Sequence, residues 1–500
     1  MVADVSVVGS LGAADRHVHL DRRRRGHRWS AGIPFAVLAV VARVLIVRLP
    51  LTPDEGGYLL AASQWHLGTS TYGAYFVDRP PLLMAIYAGA DLLGGGLALR
   101  VIGVVAAAVA VLIAGRIGGR AAAAAAAVFV ITPLFGTGNV DGELLALPLV
   151  LGGLLMLVRA LTPAEPHLGR VAAAAGVLAM AAVLVKQDMV DVFVGAVGAS
   201  AALAVDRRWQ HLRELLIGFA VGALSTGVSA LGLAWLRGTS PTRLWDALVT
   251  FRVQAGAVIS ANGDAAGGTT ERLHVMLRAL VLSGAPLVAV VALVAAGMPP
   301  MGPSRGRAPE LDLRWVAVPV LTWEAVGALL GGSYWLHYLI ALIPGIVLLV
   351  AAVPLHASTW KRRLLAGALV IAGISTSDLF AQGVAHQPAP SSDAQVSAYL
   401  AAHRRSGTTV VVAFGHPNIV YDAGMTSPYE HLWSLSVRVR DPRLSELMTV
   451  MGEPQAPQWV VVAGASLDTW GVDATAAEQV LRQHYRLATT VEDWRVFERN

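Results

Sequence analysis

Residues 33–58 read IPFAVLAVVARVLIVRLPLTPDEGGY, an apolar run that ends in two adjacent carboxylates. A run of about 20 mainly apolar residues is long enough to cross the hydrocarbon of a bilayer as a helix. We therefore predict a first membrane span at 29–51, with Asp54 and Glu55 at the point where it leaves the bilayer. Arg43 lies within the run, and an arginine at that depth normally faces a partner or a polar cavity.

Similar apolar runs recur along most of the chain. Of its 500 residues, 55% are hydrophobic and 14% are charged, and the mean hydropathy is +0.59. Soluble proteins carry about 25% charged residues. These features predict an α-helical polytopic membrane protein with about eleven transmembrane helices. The predicted spans are 29–51, 95–115, 121–135, 143–158, 171–185, 189–205, 214–236, 273–297, 315–331, 338–354 and 364–382.

Basic residues cluster between alternate spans. The net charge of +5 and the pI near 9.7 would suit a nucleic-acid-binding protein, but the clusters follow the positive-inside pattern of membrane proteins. The predicted inner segments contain Arg116 and Arg120; Arg159 and Arg170; Arg207, Arg208 and Arg213; Arg305, Arg307 and Arg314; and Lys361, Arg362 and Arg363. This alternation predicts a multi-pass plasma-membrane protein with a cytoplasmic basic tail at 1–28, its C-terminus outside, and no nucleic-acid partner. The chain has no cysteine, which excludes disulfides, cysteine-ligated metals and thiol catalysis.

The predicted membrane region, 29–385, has two long outer loops. The first, 52–94, contains turns, aromatic residues and a Pro-Pro pair, and predicts short interfacial helices. The second, 237–272, is the exception among the outer loops because it carries several arginines. Its Gly/Asn-rich stretch at 260–268 predicts a mobile loop that covers a site.

Residues 390–500 differ in composition and predict a small extracytoplasmic α/β domain. The predicted elements are helices at 392–405 and 474–485, buried strands at 408–414 and 459–463, and one or two closing strands within 487–498. This segment contains no GxGxxG or Walker sequence, so we assign it no nucleotide site.

Two interpretations of Asp54 and Glu55 are open from the local sequence. A carboxylate at the membrane edge that faces a cavity suits proton abstraction. Adjacent residues on a helix point about 100° apart, so only one of the two would face a central cavity. Alternatively Asp54 is the N-cap of a helix at 55–65, and both acids are favoured there by the helix dipole.

Two further motifs place charge at the predicted outer membrane edge. In DRPP, residues 78–81, the prolines begin a helix, and Arg79 either forms a surface pair with its neighbour or holds an anion. In NVDGE, residues 139–143, Asp141 and Glu143 are either a helix cap or members of a site.

Isolated polar groups follow farther along the chain. Lys186 lies at an outer boundary against the positive-inside bias, so it either snorkels to the interface or binds a phosphate. Arg43 has a lipid phosphate or an outer acid as its natural partner. In the aromatic sequence GSYWLHY, residues 332–338, the rings fit an interfacial belt. His337 is either structural or contacts a phosphate or a sugar hydroxyl.

In order and sidedness these motifs resemble the GT-C superfamily of membrane glycosyltransferases. The resemblance is to the branch with protein O-mannosyltransferases and lipid A aminoarabinose transferases, and within it to actinobacterial members of the group called family 39 or RgtA/B/C/D-like. It is carried by Asp54-Glu55 with Tyr58, Tyr72-Gly73, Asp78-Arg79-Pro80-Pro81-Leu82, Arg100, Asp141 and Glu143, Lys186-Gln187, His337-Tyr338 and Pro344. Arg79 stands where the family often has a lysine.

The resemblance implies an inverting transfer of a hexosyl or pentosyl group from a polyprenyl-phosphate donor. The implied acceptor is an envelope glycan, lipid or protein on the outer face of the membrane. The implied residues are Asp54 as base with Glu55 beside it, a second acid from Asp141 or Glu143, donor-phosphate contacts from Arg79, Lys186, Arg43 and His337, and substrate contacts from Tyr58 and Tyr338. A divalent metal stays open as a cofactor, because no ligand set stands out in the sequence.

Two other classes of protein are alternatives to this expectation. A polytopic transporter or lipid flippase usually places polar groups near mid-membrane and shows internal repeats. Here no clear repeat is found and most acids lie at predicted outer helix ends. A noncatalytic envelope-assembly protein, with the outer domain as a binding module, is the third alternative. The ordered motifs favour the glycosyltransferase.

Overall fold

The computed structural model describes residues 30–66, 71–162, 165–262, 268–297, 312–354, 358–385 and 391–500. The predicted basic tail, together with Arg305 and Arg307, lies outside the described residues. The helices of the membrane region are α1 Ile33–Leu45, α2 Pro53–Ser63, α3 Pro81–Leu92, α4 Gly96–Ile131, α5 Gly142–Ala160, α6 Leu168–Val185, α7 Asp191–Val205, α8 Trp209–Leu236, α9 Pro241–Trp245, α10 Phe251–Asn262, α11 Thr269–Leu282, α12 Ala285–Gly297, α13 Arg314–Leu330, α14 Ile343–Ala352 and α15 Thr359–Ala385. Shorter turns are the 3₁₀ segments Pro133–Phe135 and Leu336–Leu342 and the π segment Asp246–Thr250.

The long helix α4 contains a break that separates two of the predicted spans. Gly118 and Gly119 have non-helical backbone angles, and Gly119 has a φ of 69°. A positive φ is strained for any residue with a side chain, so glycine suits this position. The predicted spans 95–115 and 121–135 therefore correspond to the two parts of α4.

The described membrane region combines long and short apolar helices. By length and composition, α4, α5, α6, α8 and α15 are able to cross a membrane, and α11 with α12 qualifies as one span bent by 53°. Shorter apolar helices are α1, α3, α7 and Leu336–Ala352. The α-helical polytopic fold predicted from the sequence is confirmed, although the first predicted span is helical only over α1. Pro50 disfavours helical backbone in the residue before it, so the end of that span consists of turns.

One face of α8 shows which surface meets lipid. Leu216, Val221, Leu224 and Val228 are 51%, 60%, 65% and 68% exposed. A contiguous apolar face of this kind is unfavourable in water and favourable against acyl chains. The opposite side of α8 packs against α6, where Gly222 allows close approach to the α6 backbone.

The second long loop is largely helical. It contains α9, the π segment and α10, and Phe251 of α10 packs with Phe76 of the first loop at a ring distance of 5.0 Å. Residues 260–262 of the predicted mobile stretch are the last turn of α10, and mobility of this stretch stays a prediction. Residues 263–267 lie outside the described residues.

The C-terminal domain is a four-stranded sheet with helices. Its elements are α16 Ser392–Ala402, β1 Val410–Ala413, α17 Pro417–Asp422, α18 Ser434–Arg440, α19 Ser445–Gly452, β2 Trp459–Ala463, the 3₁₀ turn Leu467–Trp470, α20 Thr475–His484, β3 Tyr485–Val491 and β4 Trp494–Arg499. The strand order is β1-β2-β4-β3, with β1 parallel to β2 and the other pairs antiparallel. The strands and helices predicted in 390–500 are confirmed.

Candidate active site

A polar cavity of about 230 Å³ lies between the first loop, the ends of the membrane helices and α10. It combines carboxylates, cations and aromatic rings from segments far apart in the chain. Its polar and aromatic lining is Asp54, Tyr58, Arg79, Asp141, Glu143, Lys186, Gln187, Asp188, Asp191, Arg252, Trp323, Glu324, His337 and Tyr338. This is the largest set of ionisable side chains that any described cavity brings together.

The N-terminus of α2 decides which of the two adjacent acids faces the cavity. Thr52 is the N-cap, and its side chain accepts from the backbone N–H of Glu55 while the Glu55 carboxylate accepts from the N–H of Thr52. This reciprocal capping box turns Glu55 away from the cavity. Asp54 lies one residue earlier in the first turn and lines the cavity. The alternative that Asp54 is the N-cap is wrong, because Thr52 holds that position.

Asp54 is only partly engaged. Its Oδ1 accepts a hydrogen bond of 2.9 Å from the indole Nε1 of Trp433, and among the described residues its other oxygen makes none. Trp433 belongs to the C-terminal domain, so this domain and the cavity lie on the same face of the membrane region. One oxygen of Asp54 is thus held and the other is available to a ligand.

Glu55, expected beside the base, is instead a buried structural acid. It is fully buried, and Arg100 donates to both of its oxygens at 2.6 and 2.9 Å. The backbone N–H groups of Thr52 and Val140 donate at 2.9 and 2.8 Å. A carboxylate that accepts this many hydrogen bonds is satisfied and has no oxygen left for a substrate. The assignment of Glu55 to catalysis is therefore corrected.

Arg43, expected at the donor phosphate, also has a structural role. Its guanidinium donates to the backbone carbonyls of Thr137 and Asn139, the second at 3.1 Å. It is buried, and it lines only a small void of about 10 Å³ beside Arg100. The partner of this intramembrane arginine is thus the loop before α5, and its assignment to phosphate is corrected.

Two arginines share one carboxylate at the rim of the cavity. Asp78 pairs with Arg79 at 2.8 Å through one oxygen and with Arg252 at 2.8 Å through the other. Burial opposes ionisation of Asp78, but Arg252 and Arg79 outweigh it and hold the pKa of Asp78 below its usual range. The guanidinium of Arg79 lies 5.5 Å from the ring centre of Tyr58. Two cations around one carboxylate leave a formal charge of +1 here.

Lys186 belongs to a group of side chains whose net formal charge is negative. Its ammonium pairs with Glu143 and lies 3.3 Å from Asp188, while the ring of Tyr338 is 4.5 Å away. Burial disfavours the charged lysine, but Asp188 and Glu143 outweigh it and raise the pKa of Lys186. One cation between two carboxylates leaves a formal charge of −1, so Lys186 is less available to an anion than the arginines.

Asp141 and His337 form the third polar group. Asp141 occupies the N-cap position of α5 without a side-chain capping bond, so helix capping does not explain it. Its buried Oδ2 lies 3.4 Å from Nδ1 of His337 and makes no hydrogen bond with the described residues. Burial raises the pKa of the Asp141 carboxyl to about 7, with Glu143 adding to the shift and His337 opposing it. Both Asp141 and Glu143 line the cavity, but only Glu143 is ion-paired with a lysine.

Because the pKa of Asp141 is raised, Asp141→Asn is predicted to increase the stability of the protein by an amount that depends on pH. A carboxyl whose pKa is higher in the folded than in the unfolded state lowers stability as pH rises between the two values. The variant is therefore expected to match wild type near pH 4, to become increasingly more stable up to pH 7, and to keep a constant advantage above it. Thermal unfolding in detergent at several pH values measures this. The exposed Asp493→Asn is the matched control, and a pH-independent difference would contradict the prediction.

The deep end of the cavity is acidic. Glu324 of α13 is 3% exposed and accepts from the backbone N–H of Gly345 through both oxygens, at 2.9 and 3.0 Å. Asp191, at the start of α7, is 1% exposed and also lines the cavity. The cavity therefore has a cationic rim near Arg79 and an acidic interior.

The sequence did not suggest a metal site, and the cavity adds no converging set of three ligand atoms among the described residues. One such group lies elsewhere, where ligand atoms of Glu430, His431 and Glu446 lie within 4.8 Å of one another. His431 Nε2 is 3.6 and 3.4 Å from the two carboxylates, with Arg243 and Arg440 lining the same cavity. This cluster lies outside the candidate site, and we assign it no role in the reaction.

Several residues of the site were not predicted from the sequence, among them Arg252, Glu324 and Trp433. Arg252 lies in the predicted outer loop 237–272, which departs from the positive-inside pattern, and this departure was an available signal. Glu324 is an acid within an apolar predicted span, which also indicates function. Trp433 gave no signal, because no local pattern connects it to Asp54.

No known protein-family profile matches the sequence, and no curated protein matches it significantly. A crystal structure of ArnT from Cupriavidus metallidurans bound to undecaprenyl phosphate aligns with 93% of this chain and 97% of its own, at a TM-score of 0.61 and 13% identity. The Archaeoglobus fulgidus oligosaccharyltransferase in the apo form aligns with 92% of this chain and 72% of its own, at a TM-score of 0.51 and 14% identity. At such identities the likeness shows the fold alone, and the predicted fold, an α-helical polytopic membrane protein with a small C-terminal α/β domain, is confirmed.

Proposed function

We propose that this chain is an inverting glycosyltransferase that moves a sugar from a polyprenyl-phosphate donor to an envelope glycan, lipid or protein. In this proposal the reaction takes place on the non-cytoplasmic face of the plasma membrane, and Asp54 is the general base. The observation that carries it is the presence in one cavity of a half-engaged carboxylate and a pair of arginines with surplus positive charge.

The proposed reaction balances as a direct displacement. The acceptor hydroxyl oxygen forms a bond to the anomeric carbon as the bond from that carbon to the phosphate oxygen breaks. The phosphate oxygen keeps the bonding electrons, and the acceptor proton passes to Asp54. Attack opposite the phosphate inverts the anomeric centre. The leaving group is already anionic, so it needs positive charge and hydrogen-bond donors more than a general acid.

Charge balance supports a division of roles around the cavity. The Arg79 and Arg252 pair retains a formal charge of +1 after Asp78 is counted, and guanidinium groups suit bidentate contact with phosphate. The Lys186 group is already negative through Glu143 and Asp188. We therefore assign the donor phosphate to the arginines first. Tyr58 and Tyr338 line the same cavity and remain proposed substrate contacts. His337 also lines it and remains a proposed contact to the phosphate or to a sugar hydroxyl.

The function is tested by incubating purified protein with a panel of hexosyl and pentosyl polyprenyl phosphates and an envelope fraction. Release of free polyprenyl phosphate, together with labelled sugar in the acceptor fraction, is the expected result for at least one donor. Vesicle transport of a donor without any sugar transfer would overturn the proposal in favour of a transporter or flippase. No release from any donor by the inserted, folded protein would also overturn it.

Arg252→Gln is expected to weaken use of the donor. A charge-assisted hydrogen bond is worth about 1.5–3 kcal/mol, so kcat/KM for the donor should fall about 10- to 100-fold, mainly through KM. Steady-state kinetics over a donor concentration series measures this. Arg243→Gln, in the same loop but on a different cavity, is the matched control. A donor KM within about twofold of wild type would remove Arg252 from the phosphate site.

A further inference from the structure

The C-terminal domain reaches into the candidate site through one side chain. Trp433, immediately before α18, donates from Nε1 to Oδ1 of Asp54 at 2.9 Å across 379 residues of chain. Indole N–H is a donor only, and a carboxylate oxygen is its natural acceptor. Among the described hydrogen bonds this is the one that orients the Asp54 side chain.

The indole is fixed from both sides. Its ring packs on Tyr58 at a centroid distance of 5.2 Å and an interplanar angle of 35°. A Cβ atom at Gly57 would lie 2.5 Å from Cζ2 of Trp433, and one at Gly56 would lie 2.4 Å from Cα of Asn418. Glycine at both positions therefore lets α2 approach α17 and the indole at a distance that no side chain would permit.

Separate contacts hold the domain against the first loop. The backbone N–H of Ser427 donates to the hydroxyl of Tyr75 at 3.0 Å, and that of Phe76 donates to the carbonyl of Glu430 at 3.1 Å. The hydroxyl of Tyr421 donates to Asp91 at 3.2 Å. The domain residues of these contacts, Tyr421 to Glu430, all precede Trp433 in the sequence, so its approach to Asp54 is the end of an extended docking surface.

We propose that Trp433 is a positioning residue for Asp54, by which the C-terminal domain completes the active site in the membrane region. This inference rests on the proposed function, since it concerns the base of that reaction. The indole N–H holds one carboxylate oxygen, so the other oxygen points to the acceptor hydroxyl.

Trp433→Phe separates this role from packing. Phenylalanine retains an aromatic ring against Tyr58 but lacks the N–H. We expect kcat to fall about tenfold with little change in donor KM, because the lost hydrogen bond orients the base and does not contact the donor phosphate. The matched control is Trp459→Phe in the same domain, because the buried Nε1 of Trp459 has no hydrogen-bond partner among the described residues. This control should keep the wild-type kcat and donor KM.

A second readout does not depend on turnover. The rate at which a water-soluble carbodiimide modifies Asp54 at a fixed pH, followed by peptide mass spectrometry, reports how free its carboxylate is. Trp433→Phe should raise that rate, because the oxygen held by the indole N–H is released, and Gly57→Ala, which displaces the indole, should do the same if Trp433→Phe folds poorly. An unchanged modification rate with wild-type kcat overturns the positioning role. If wild type transfers no sugar from any donor, the proposed function fails, and the modification rate alone decides the role of Trp433.

Discussion

Asp54→Asn is expected to lower sugar transfer by about 10²- to 10⁴-fold, the usual contribution of a general base. Asparagine has nearly the same size and its amide oxygen is able to accept the hydrogen bond from Trp433. The variant should therefore keep the docking of the C-terminal domain and lose only the ability to take a proton. The measurement is release of polyprenyl phosphate by purified protein with a donor that wild type uses.

The control for this variant is its thermal stability and membrane insertion, which should match wild type. Donor KM should also change little, because Asp54 carries no proposed contact to the phosphate. Transfer at more than about a tenth of the wild-type rate would remove Asp54 as the base. Asp141 and Glu143 would then be the first of the other cavity carboxylates to examine.

Glu55→Gln is expected to lower the free energy of unfolding by about 3–5 kcal/mol, the range for breaking a buried ion pair on one side. Glu55 is fully buried and accepts two hydrogen bonds from Arg100, one at each carboxylate oxygen. The amide of glutamine has only one oxygen, so it would keep at most one of these acceptor positions. The guanidinium would lose its countercharge while remaining buried. Thermal unfolding of the purified protein in detergent measures the loss.

The two neighbouring substitutions are each other's controls. Each replaces a carboxylate by the isosteric amide, one residue apart on α2, so differences in expression or insertion cannot come from the type of change. Asp54→Asn should be stable and inactive, whereas Glu55→Gln should be unstable and, in the fraction that stays folded, active. The reverse assignment would show that Glu55 carries the chemistry.

Much of the fold was predictable because the length of an apolar run and the basic residues of a loop are properties of the local sequence. The long apolar runs predicted the membrane helices, and the short continuous apolar runs at 408–414 and 459–463 predicted the strands β1 and β2. The break in α4 was also visible as two runs separated by Gly118 and Gly119. The bend between α11 and α12 was not predicted, because the 25-residue segment 273–297 has the same composition whether it is straight or bent by 53°.

The roles of Asp54 and Glu55 were recoverable from four residues. Thr52 followed by an acid three positions later is the signature of a capping box, and it assigns Glu55 to the helix terminus. Predicting its pairing with Arg100 required knowing that α4 returns past the start of α2. Such long-range packing has no local sequence pattern. For the same reason the carbonyl partners of Arg43 could not be predicted.

The docking of Trp433 against Asp54 also has a consequence for synthesis of the protein. The chain is made from its N-terminus, so Asp54 emerges 379 residues before its hydrogen-bond partner. At about 5–20 residues per second, the interval is on the order of 20 to 75 seconds. During this time the membrane helices are inserted, while the Asp54 carboxylate lacks its hydrogen bond from Trp433. A ribosome-bound chain that ends before the C-terminal domain lacks this hydrogen bond, so its proposed sugar transfer is expected to be slower than that of the finished protein.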